Sequence, residues 1–251
     1  MKKNNVKYIA FLTSILIFAS TALFAETVTY TEANEICTHV YLGYNEGVNG
    51  PITVTKGTYK KGLVSKTVYL VALSGTELVD GQSTGYLTDL LSGFNLKNAY
   101  YYNVVSVIQN NIPSGANLIL AGHSLGGMIC QQVAADDEIK ADYNVMNTVC
   151  FGSPLLSAGS REGVVKRLGA TSDVIPYCSG SLFNNTLWAI LGLNREDGGY
   201  GLDLLSAHTE SYLRSDVWGA YDITGTKNGS AKLVLDLSTL TYYQSPTTIS
   251  E

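Results

Sequence analysis

The residues best suited to chemistry lie in the stretch GHSLGG at positions 122–127. It contains Gly-x-Ser-x-Gly, in which a serine occupies a sharp turn between a strand and a helix. The buried-strand pattern NLILAG precedes Ser124, and apolar residues at helical spacing follow it. The flanking glycines let backbones approach closely, and the helix N-terminus favours a developing negative charge. The pattern predicts a nucleophilic Ser124; the alternative is a glycine-rich turn with an incidental serine.

This serine needs a base, and the supply of histidines selects one. A serine hydroxyl becomes a good nucleophile when a base takes its proton and a third group orients that base. In proteins with a nucleophilic serine in this kind of strand-to-helix turn, the chain order is serine, acid, histidine. His208 is the only histidine after Ser124. His39 falls on an early apolar helix pattern and is predicted to be structural, while His123 is expected to point away from the nucleophile. We predict that His208 is the base.

The orienting acid is less determined. Several acidic residues lie between Ser124 and His208, so their order alone leaves the choice open. Asp173 stands out, because the stretch TSDVIPY places it after a helical pattern and before a proline-bounded apolar step. Loops at strand ends of this kind commonly carry site residues. Asp173 is therefore the preferred candidate, and most of the other acids are interpreted as solvated surface charges.

The elements that must position these residues alternate along the chain. Apolar spacing predicts helices over 31–44 and 98–112 and a further helix after Ser124. Strand patterns occur in the stretches ITVTKGTY, KTVYLVAL, NLILAG and NTVCFGSP. This alternation predicts an α/β fold with a mostly parallel sheet and helices on both faces. The period-two stretch 230–243 is predicted to form one or two edge strands.

The first 25 residues have the pattern of an export signal. Lys2, Lys3 and Lys7 precede an uncharged apolar run that ends in small residues, so cleavage after Ala22 or Ala25 is expected. A retained membrane anchor is the alternative, since the run is near the lower length limit for a spanning helix. We predict a signal peptide over 1–25, one domain over 26–251, and a secreted or periplasmic protein.

Charge and cysteine content exclude several classes of partner. Removing residues 1–25 takes away three lysines and no acid, leaving 13 basic against 21 acidic residues. Such a surface gives no reason to expect nucleic-acid binding, and no basic cluster marks an anionic-lipid site. Cys37 lies on an apolar helix stripe and could be a buried thiol, while Cys37, Cys130, Cys150 and Cys178 would allow three pairings if all were joined. No close cysteine pair suggests zinc, and no metal or cofactor is predicted.

Several stretches, taken in order, resemble a known family, the class 3 lipases, which include secreted fungal triacylglycerol lipases. VALSGT at 71–76 is similar to the family's oxyanion strand, and GHSLGG at 122–127 matches its nucleophile elbow. CFGSP at 150–154 and DVIP at 173–176 are similar to its next strand and its acid motif. His208, followed four residues later by Tyr212, completes the set.

This resemblance implies an α/β-hydrolase fold and a Ser124, Asp173, His208 triad. It also implies an oxyanion hole formed by Thr76 and the backbone amide of Leu125. Both donors make physical sense, because each can meet the carbonyl oxygen as that atom gains charge.

Other positions are less certain or depart from the family pattern. The resemblance gives Asp89 the role of holding Thr76, with an exposed carboxylate as the alternative. Ser74 replaces the usual arginine, and the stretch between Thr76 and Asp89 is longer and more polar than the family's lid region. Further along, apolar residues flanked by glycines could form a mobile substrate-binding wall, with a packed core helix as the alternative. The residues assigned to substrate binding are Phe183, Trp188 and Leu191.

Together these features predict a secreted serine hydrolase that cleaves lipid esters, triacylglycerol or phospholipid, through an acyl-Ser124 intermediate. Its partners would be the ester substrate and, transiently, a lipid interface; the oligomeric state is not predicted. A small-ester carboxylesterase is an alternative. A catalytically silent secreted binding or effector protein on a hydrolase scaffold is another, and only fold analogy would support an amidase or peptidase.

Overall fold

The computed structural model describes residues 26–76, 97–157, 159–178, 190 and 192–246. The strands in these ranges are β1 Thr27–Tyr30, β2 Ile52–Lys61, β3 Val64–Leu73, β4 Asn117–His123, β5 Asn144–Phe151, β6 Val164–Ala170, β7 Leu193–Glu196, β8 Lys232–Asp236 and β9 Thr241–Tyr243. The helices are α1 Ala33–Tyr41, α2 Ala99–Asn111, α3 Leu125–Ala134, α4 Asp137–Asp142, α5 Leu204–Thr209 and α6 Ser215–Trp218. The predicted signal peptide lies outside the described residues.

All nine strands belong to one mixed sheet with the order β1-β8-β2-β3-β4-β5-β6-β7, and β9 pairs with β2. The run from β3 to β7 is parallel. The strands on the other side, β1, β2, β8 and β9, pair antiparallel. The predicted α/β class is confirmed, and the parallel sheet is extended by this antiparallel part. The prediction that 230–243 forms edge strands is wrong for β8, which lies between β1 and β2.

The central strand β4 explains why the sheet is covered on both faces. Leu118 and Leu120 join one core cluster, while Ile119 and Ala121 join the cluster on the opposite face. Side chains alternate across a strand, so an uninterrupted apolar run must be buried on both sides. Burial on both faces is typical of the parallel strands at the centre of such a sheet.

Helices supply the two covering layers, as predicted. Ile129 of α3 packs in the cluster that also contains residues of α2 and α4. Ile36 of α1 packs in the other cluster, together with Trp218 of α6. The two layers hold the parallel strands from opposite sides, so the ends of those strands can carry polar groups without weakening the core.

The helix predicted over 31–44 ends earlier, at Tyr41. A Cβ on Gly43 would lie 2.8 Å from the carbonyl oxygen of Pro51, so the chain needs glycine where it passes the start of β2. After this turn Tyr44 leaves the helix direction, and its hydroxyl accepts a 2.7 Å hydrogen bond from the Gly75 amide. The shortened helix thus brings an aromatic side chain to the end of β3.

The cysteines remain unpaired. Cys37 is a buried thiol, which confirms that interpretation, and Cys130 and Cys150 are also buried, whereas Cys178 is exposed. In the part of the chain that the structure describes, no group of histidine, cysteine and acidic side chains is arranged to hold a metal ion. Nor is any helix within those ranges long and apolar enough to cross a membrane.

Candidate active site

Ser124 occupies the turn between β4 and α3 in a strained backbone conformation. Its φ is 54° and its ψ is −121°, a region that residues with a side chain rarely adopt. The Ser124 amide donates a 2.9 Å hydrogen bond to the carbonyl of Phe151, which ends the neighbouring strand β5. The serine stands directly before the first turn of α3, and that turn contains no acidic side chain. The helix N-terminus therefore presents unopposed positive potential beside the hydroxyl.

Two glycines make this turn possible. A Cβ on Gly122 would lie 2.4 Å from the backbone of Gly126, and a Cβ on Gly126 would lie 2.1 Å from the carbonyl oxygen of Leu73. Both distances are shorter than any tolerable contact, and in each case the neighbouring atom is backbone that cannot move aside. The two glycines predicted from the Gly-x-Ser-x-Gly spacing are thus required by close packing of β3, β4 and α3.

His208, on α5, lies between the serine and an acid. Its Nε2 is 3.0 Å from Ser124 Oγ, and its Nδ1 is 2.8 Å from Asp173 Oδ2. Because a carboxylate only accepts hydrogen bonds, the proton is assigned to Nδ1, which leaves Nε2 free to take the serine proton. The structure therefore brings together the three residues that sequence analysis selected, in the order required for nucleophile activation.

Asp173 follows β6 and is buried, with 1% of its side chain exposed. Its Oδ1 accepts a 3.0 Å hydrogen bond from the Ile175 amide, and its Oδ2 accepts a 2.6 Å hydrogen bond from the Tyr212 hydroxyl in addition to that from His208. Three donors compensate the carboxylate for the water it has lost. Burial and the adjacent Asp173 raise the pKa of Tyr212 well above its ordinary value, so the phenol stays protonated and donates.

Gly152, in the stretch CFGSP, is a site residue whose role sequence analysis did not identify. Its φ is +56°, and a Cβ there would lie 2.9 Å from Asp173 Oδ2 and 3.1 Å from His208 Cε1. The acid and base thus pack directly against this backbone. A side chain would separate them, so the glycine of the motif has a steric explanation.

Arg167, on β6, ties the two site loops together and was also missed. Its guanidinium donates hydrogen bonds to the carbonyl oxygens of Ser153 and Pro176. These carbonyls lie just beyond Gly152 and Asp173. Burial lowers the pKa of Arg167 to about 10, which still leaves the side chain charged and donating at neutral pH. The helical pattern predicted before Asp173 is wrong, because Val164–Ala170 form strand β6. The available signal for Arg167 was an arginine within the mostly apolar segment VVKRLGA.

The two residues predicted as oxyanion donors meet the serine from different elements. A Cβ on Gly75 would lie 2.8 Å from Ser124 Cβ, so the end of β3, which leads directly to Thr76, passes beside the nucleophile. Thr76 Oγ1 is buried and has no hydrogen-bond partner in the described ranges. Leu125 begins α3, so its amide is one of those without an intrahelical acceptor. Thr76 thus follows the glycine that packs against Ser124, and the Leu125 amide belongs to the residue next to the serine.

The other two histidines behave as predicted. His123 directs its ring away from the nucleophile, toward the Tyr44 hydroxyl and the carbonyl of His208. His39 is buried in the core, with hydrogen bonds to Tyr30 and Thr55. Burial lowers the pKa of His39 to about 4, so it is neutral under ordinary conditions.

The proposed substrate-binding residues Phe183, Trp188 and Leu191 lie outside the described residues, as does Asp89. Exposed apolar side chains nevertheless flank the triad. Val174, next to the acid, is 52% exposed, and the segment leading to the base contributes Leu202 at 96%, Leu204 at 47% and Leu205 at 72%. Their signal in the sequence was apolar residues placed directly beside Asp173 and just before His208.

Comparisons with known proteins identify no relative. No protein-family model matches the chain, and no curated protein or solved structure matches it. The similarity to class 3 lipases therefore rests on the ordered motifs, and any assignment of function rests on the geometry of the site.

Proposed function

We propose that this chain is a serine hydrolase with an α/β-hydrolase fold that cleaves carboxylic esters through an acyl-Ser124 intermediate. The observation that carries the proposal is the pair of hydrogen bonds on either side of His208, 3.0 Å to Ser124 Oγ and 2.8 Å to Asp173 Oδ2. The strained serine backbone, the buried acid and the adjacent helix N-terminus add support. These features together are those that an activated serine requires.

Acylation would begin when Ser124 Oγ attacks the ester carbonyl carbon. As the new C–O bond forms, His208 Nε2 takes the hydroxyl proton, and the carbonyl π electrons move onto oxygen. That oxyanion would accept hydrogen bonds from Thr76 Oγ1 and from the Leu125 amide. Each such donor contributes about 3 kcal/mol in comparable sites. Collapse of the tetrahedral intermediate then breaks the ester C–O bond, and the departing alcohol takes the proton from His208.

Deacylation would reverse these roles with water. His208 Nε2 takes a proton from water as its oxygen attacks the acyl carbon, and the same two donors stabilise the second oxyanion. Collapse returns the proton to Ser124 Oγ and releases the carboxylic acid. Throughout, the Asp173 carboxylate accepts the hydrogen bond from the imidazolium of His208, while the Tyr212 hydroxyl holds Asp173 in place. No metal or cofactor is proposed for this cycle.

The proposed substrates are lipid esters. The apolar side chains beside the triad support this choice, because Leu202 and Leu205 are largely exposed on the segment that carries His208. Exposed apolar side chains that lie together often mark a site of contact with a ligand or a lipid surface, so leucines this close in the sequence favour contact with an apolar acyl chain or a lipid surface. The proposal includes export with removal of residues 1–25 and transient contact with a lipid interface.

Hydrolysis of p-nitrophenyl esters from acetate to palmitate, measured below and above the concentration at which each ester forms aggregates, tests this function. Ser124→Ala should lower kcat at least about 1000-fold. Ser245→Ala is the matched control, because Ser245 is also buried but its hydroxyl accepts a hydrogen bond from the side-chain amide of Asn103.

Faster turnover of long, aggregated esters supports a lipase or phospholipase, whereas a preference for acetate in solution would replace the lipid substrate by a small ester. Unchanged hydrolysis in Ser124→Ala would overturn the nucleophile. A folded wild-type protein without ester hydrolysis would support the silent binding scaffold.

A further inference from the structure

A chain of hydrogen bonds links the oxyanion strand to the base through a second buried histidine. The Gly75 amide donates to the Tyr44 hydroxyl at 2.7 Å. The same hydroxyl lies 2.6 Å from His123 Nδ1, and His123 Nε2 lies 2.9 Å from the carbonyl oxygen of His208. The chain thus starts one residue before Thr76 and ends on the main chain of the base.

The direction of this chain is fixed by its two ends. A carbonyl oxygen only accepts, so His123 Nε2 must carry the ring proton and Nδ1 must accept. Tyr44 therefore donates to Nδ1, and its oxygen accepts from the Gly75 amide. Burial and the adjacent His208 lower the pKa of His123 well below its ordinary value, so the ring stays neutral in this one tautomer.

The chain depends on close approach at both ends. A Cβ on Gly75 would lie 2.4 Å from the Tyr44 hydroxyl, so glycine is needed for that hydrogen bond to form. At the other end, the ring of His123 lies against that of His208, with 4.7 Å between their centroids. Tyr41 provides a parallel support, because its hydroxyl donates to the carbonyl of Thr209 at 2.5 Å. The main chain of the base is therefore held at two consecutive carbonyls.

We propose that Tyr44 and His123 are positioning residues for ester hydrolysis, which couple the end of β3 to the main chain of His208. Through these two residues, the distance between the oxyanion donor and the base on either side of Ser124 is held constant. The inference rests on the proposed hydrolase function and adds to it. Neither residue touches the reacting atoms; the effect arises because the rate of such a step falls steeply with small displacements, about 100-fold for 1 Å.

The test uses variants that break the chain at chosen atoms. Tyr44→Phe keeps the ring and removes the hydroxyl, and His123→Leu removes both ring nitrogens. Each should lower kcat about 10- to 100-fold with KM changed less than about 3-fold, since the substrate-contacting surface is retained. His123→Gln should recover part of the kcat lost in His123→Leu, because its terminal amide can donate to the His208 carbonyl in place of Nε2.

The chain offers a matched control in His39 and Tyr30. His39 is 1% exposed and His123 is 2% exposed, and the Nδ1 of His39 also faces a tyrosine hydroxyl, that of Tyr30, at 3.3 Å. Tyr30→Phe and His39→Leu should lower the melting temperature as much as the site variants do, yet leave kcat within about 2-fold when measured well below melting. A purely structural role of His123 would move both pairs alike.

Two outcomes separate this inference from the function on which it rests. A wild-type protein that neither hydrolyses esters nor reacts with a fluorophosphonate would overturn the hydrolase proposal. An active wild type in which Tyr44→Phe and His123→Leu keep wild-type kcat would overturn the positioning role alone. Equal kcat losses in the His39 and His123 variants, or no recovery in His123→Gln, would overturn it as well. Should His123→Leu fail to fold, Tyr44→Phe decides by itself.

Discussion

The parallel and antiparallel parts of the sheet use similar residues for different purposes. In the parallel part, glycines pack against backbone or site side chains, as at Gly126 and Gly152, and a buried aspartate faces a histidine. In the antiparallel part, Gly57 also packs against backbone, that of β8, whereas Gly62 turns the β2–β3 hairpin in open space. The buried Asp222, in the loop before β8, accepts hydrogen bonds from backbone amides of that loop. The difference teaches that residue type and burial do not mark a site by themselves. What marks the site is that functional side chains meet at the ends of parallel strands.

The largest effect should separate the two buried aspartates. Asp173→Asn removes the charge that holds the His208 tautomer, so kcat should fall about 1000- to 10000-fold, as in comparable triads. Asp222→Asn should leave kcat within about 2-fold and lower the melting temperature, since Asp222 Oδ2 accepts from the Ala231 amide at the start of the β8 segment. Ester hydrolysis and thermal unfolding of both variants measure this. Equal losses of kcat in the two variants would contradict the assignment of Asp173, and not Asp222, to the active site.

A second contrast uses two glycines with similar backbone angles. Gly152 has a φ of +56° and Gly62 a φ of +57°, so alanine carries a backbone penalty of about 1 kcal/mol for a positive φ at each. Only at Gly152 would the new Cβ meet the acid and base. Gly152→Ala should therefore lower kcat about 100-fold, whereas Gly62→Ala should lower only the free energy of unfolding. Denaturant titration and steady-state kinetics distinguish the two, and a full-activity Gly152→Ala would contradict the packing argument.

A third, smaller contrast compares two tyrosines whose hydroxyls donate to carboxylates. Tyr212 donates to Asp173 at 2.6 Å, and Tyr221 donates to Glu196 at 2.7 Å. A hydrogen bond to a charged group contributes about 1.5–3 kcal/mol. If part of this hydrogen-bond energy holds Asp173 in place, Tyr212→Phe should lower kcat about 10-fold. Tyr221→Phe should leave kcat unchanged. Initial rates at saturating ester decide; a larger loss in Tyr221→Phe would reverse the assignment.

The smallest effect on activity concerns His39. Its contribution to the free energy of unfolding should depend on pH. Burial lowers the pKa of His39 to about 4, so the unfolded chain binds its proton more readily than the folded chain does. The free energy of unfolding should therefore fall as the pH is lowered from about 6.5 to 4, by about 3 kcal/mol from this residue. His39→Gln should flatten that slope without changing kcat at neutral pH. Denaturant titrations at several pH values measure it, and an unchanged slope would contradict the burial argument.

Sequence reasoning was strongest where the signal is local. The glycine spacing around Ser124 predicted the strained turn, and the absence of any later histidine but His208 selected the base. Asp173 was favoured by its place before a proline-bounded apolar step, and the motif resemblance strengthened that choice, because many acids lie between Ser124 and His208 and their order does not rank them. These three residues lie together in the structure as expected, although their chemistry remains a prediction.

The rest depends on contacts between distant parts of the chain. Tyr44 and Gly75, which are joined by a hydrogen bond, are 31 residues apart in the sequence. A period-two pattern in β8 indicates that one face of the strand is buried, but it does not indicate which strands pair with β8. The sequence pattern therefore predicts an edge position for β8 and a helical Tyr44, and the structure differs at both. The role of Gly152 was hidden for a similar reason, since its Cβ direction matters only once Asp173 and His208 are placed beside it.

The central claim is that Ser124 is an activated nucleophile, and covalent labelling tests it most directly. The folded wild-type protein should react with a fluorophosphonate to give one adduct, which peptide mass spectrometry should place on Ser124. Ser124→Ala should abolish that adduct, and Asp173→Asn should slow its formation, whereas Asp222→Asn should label at the wild-type rate. A folded wild type that forms no adduct, or an adduct on another residue that survives Ser124→Ala, would contradict the account.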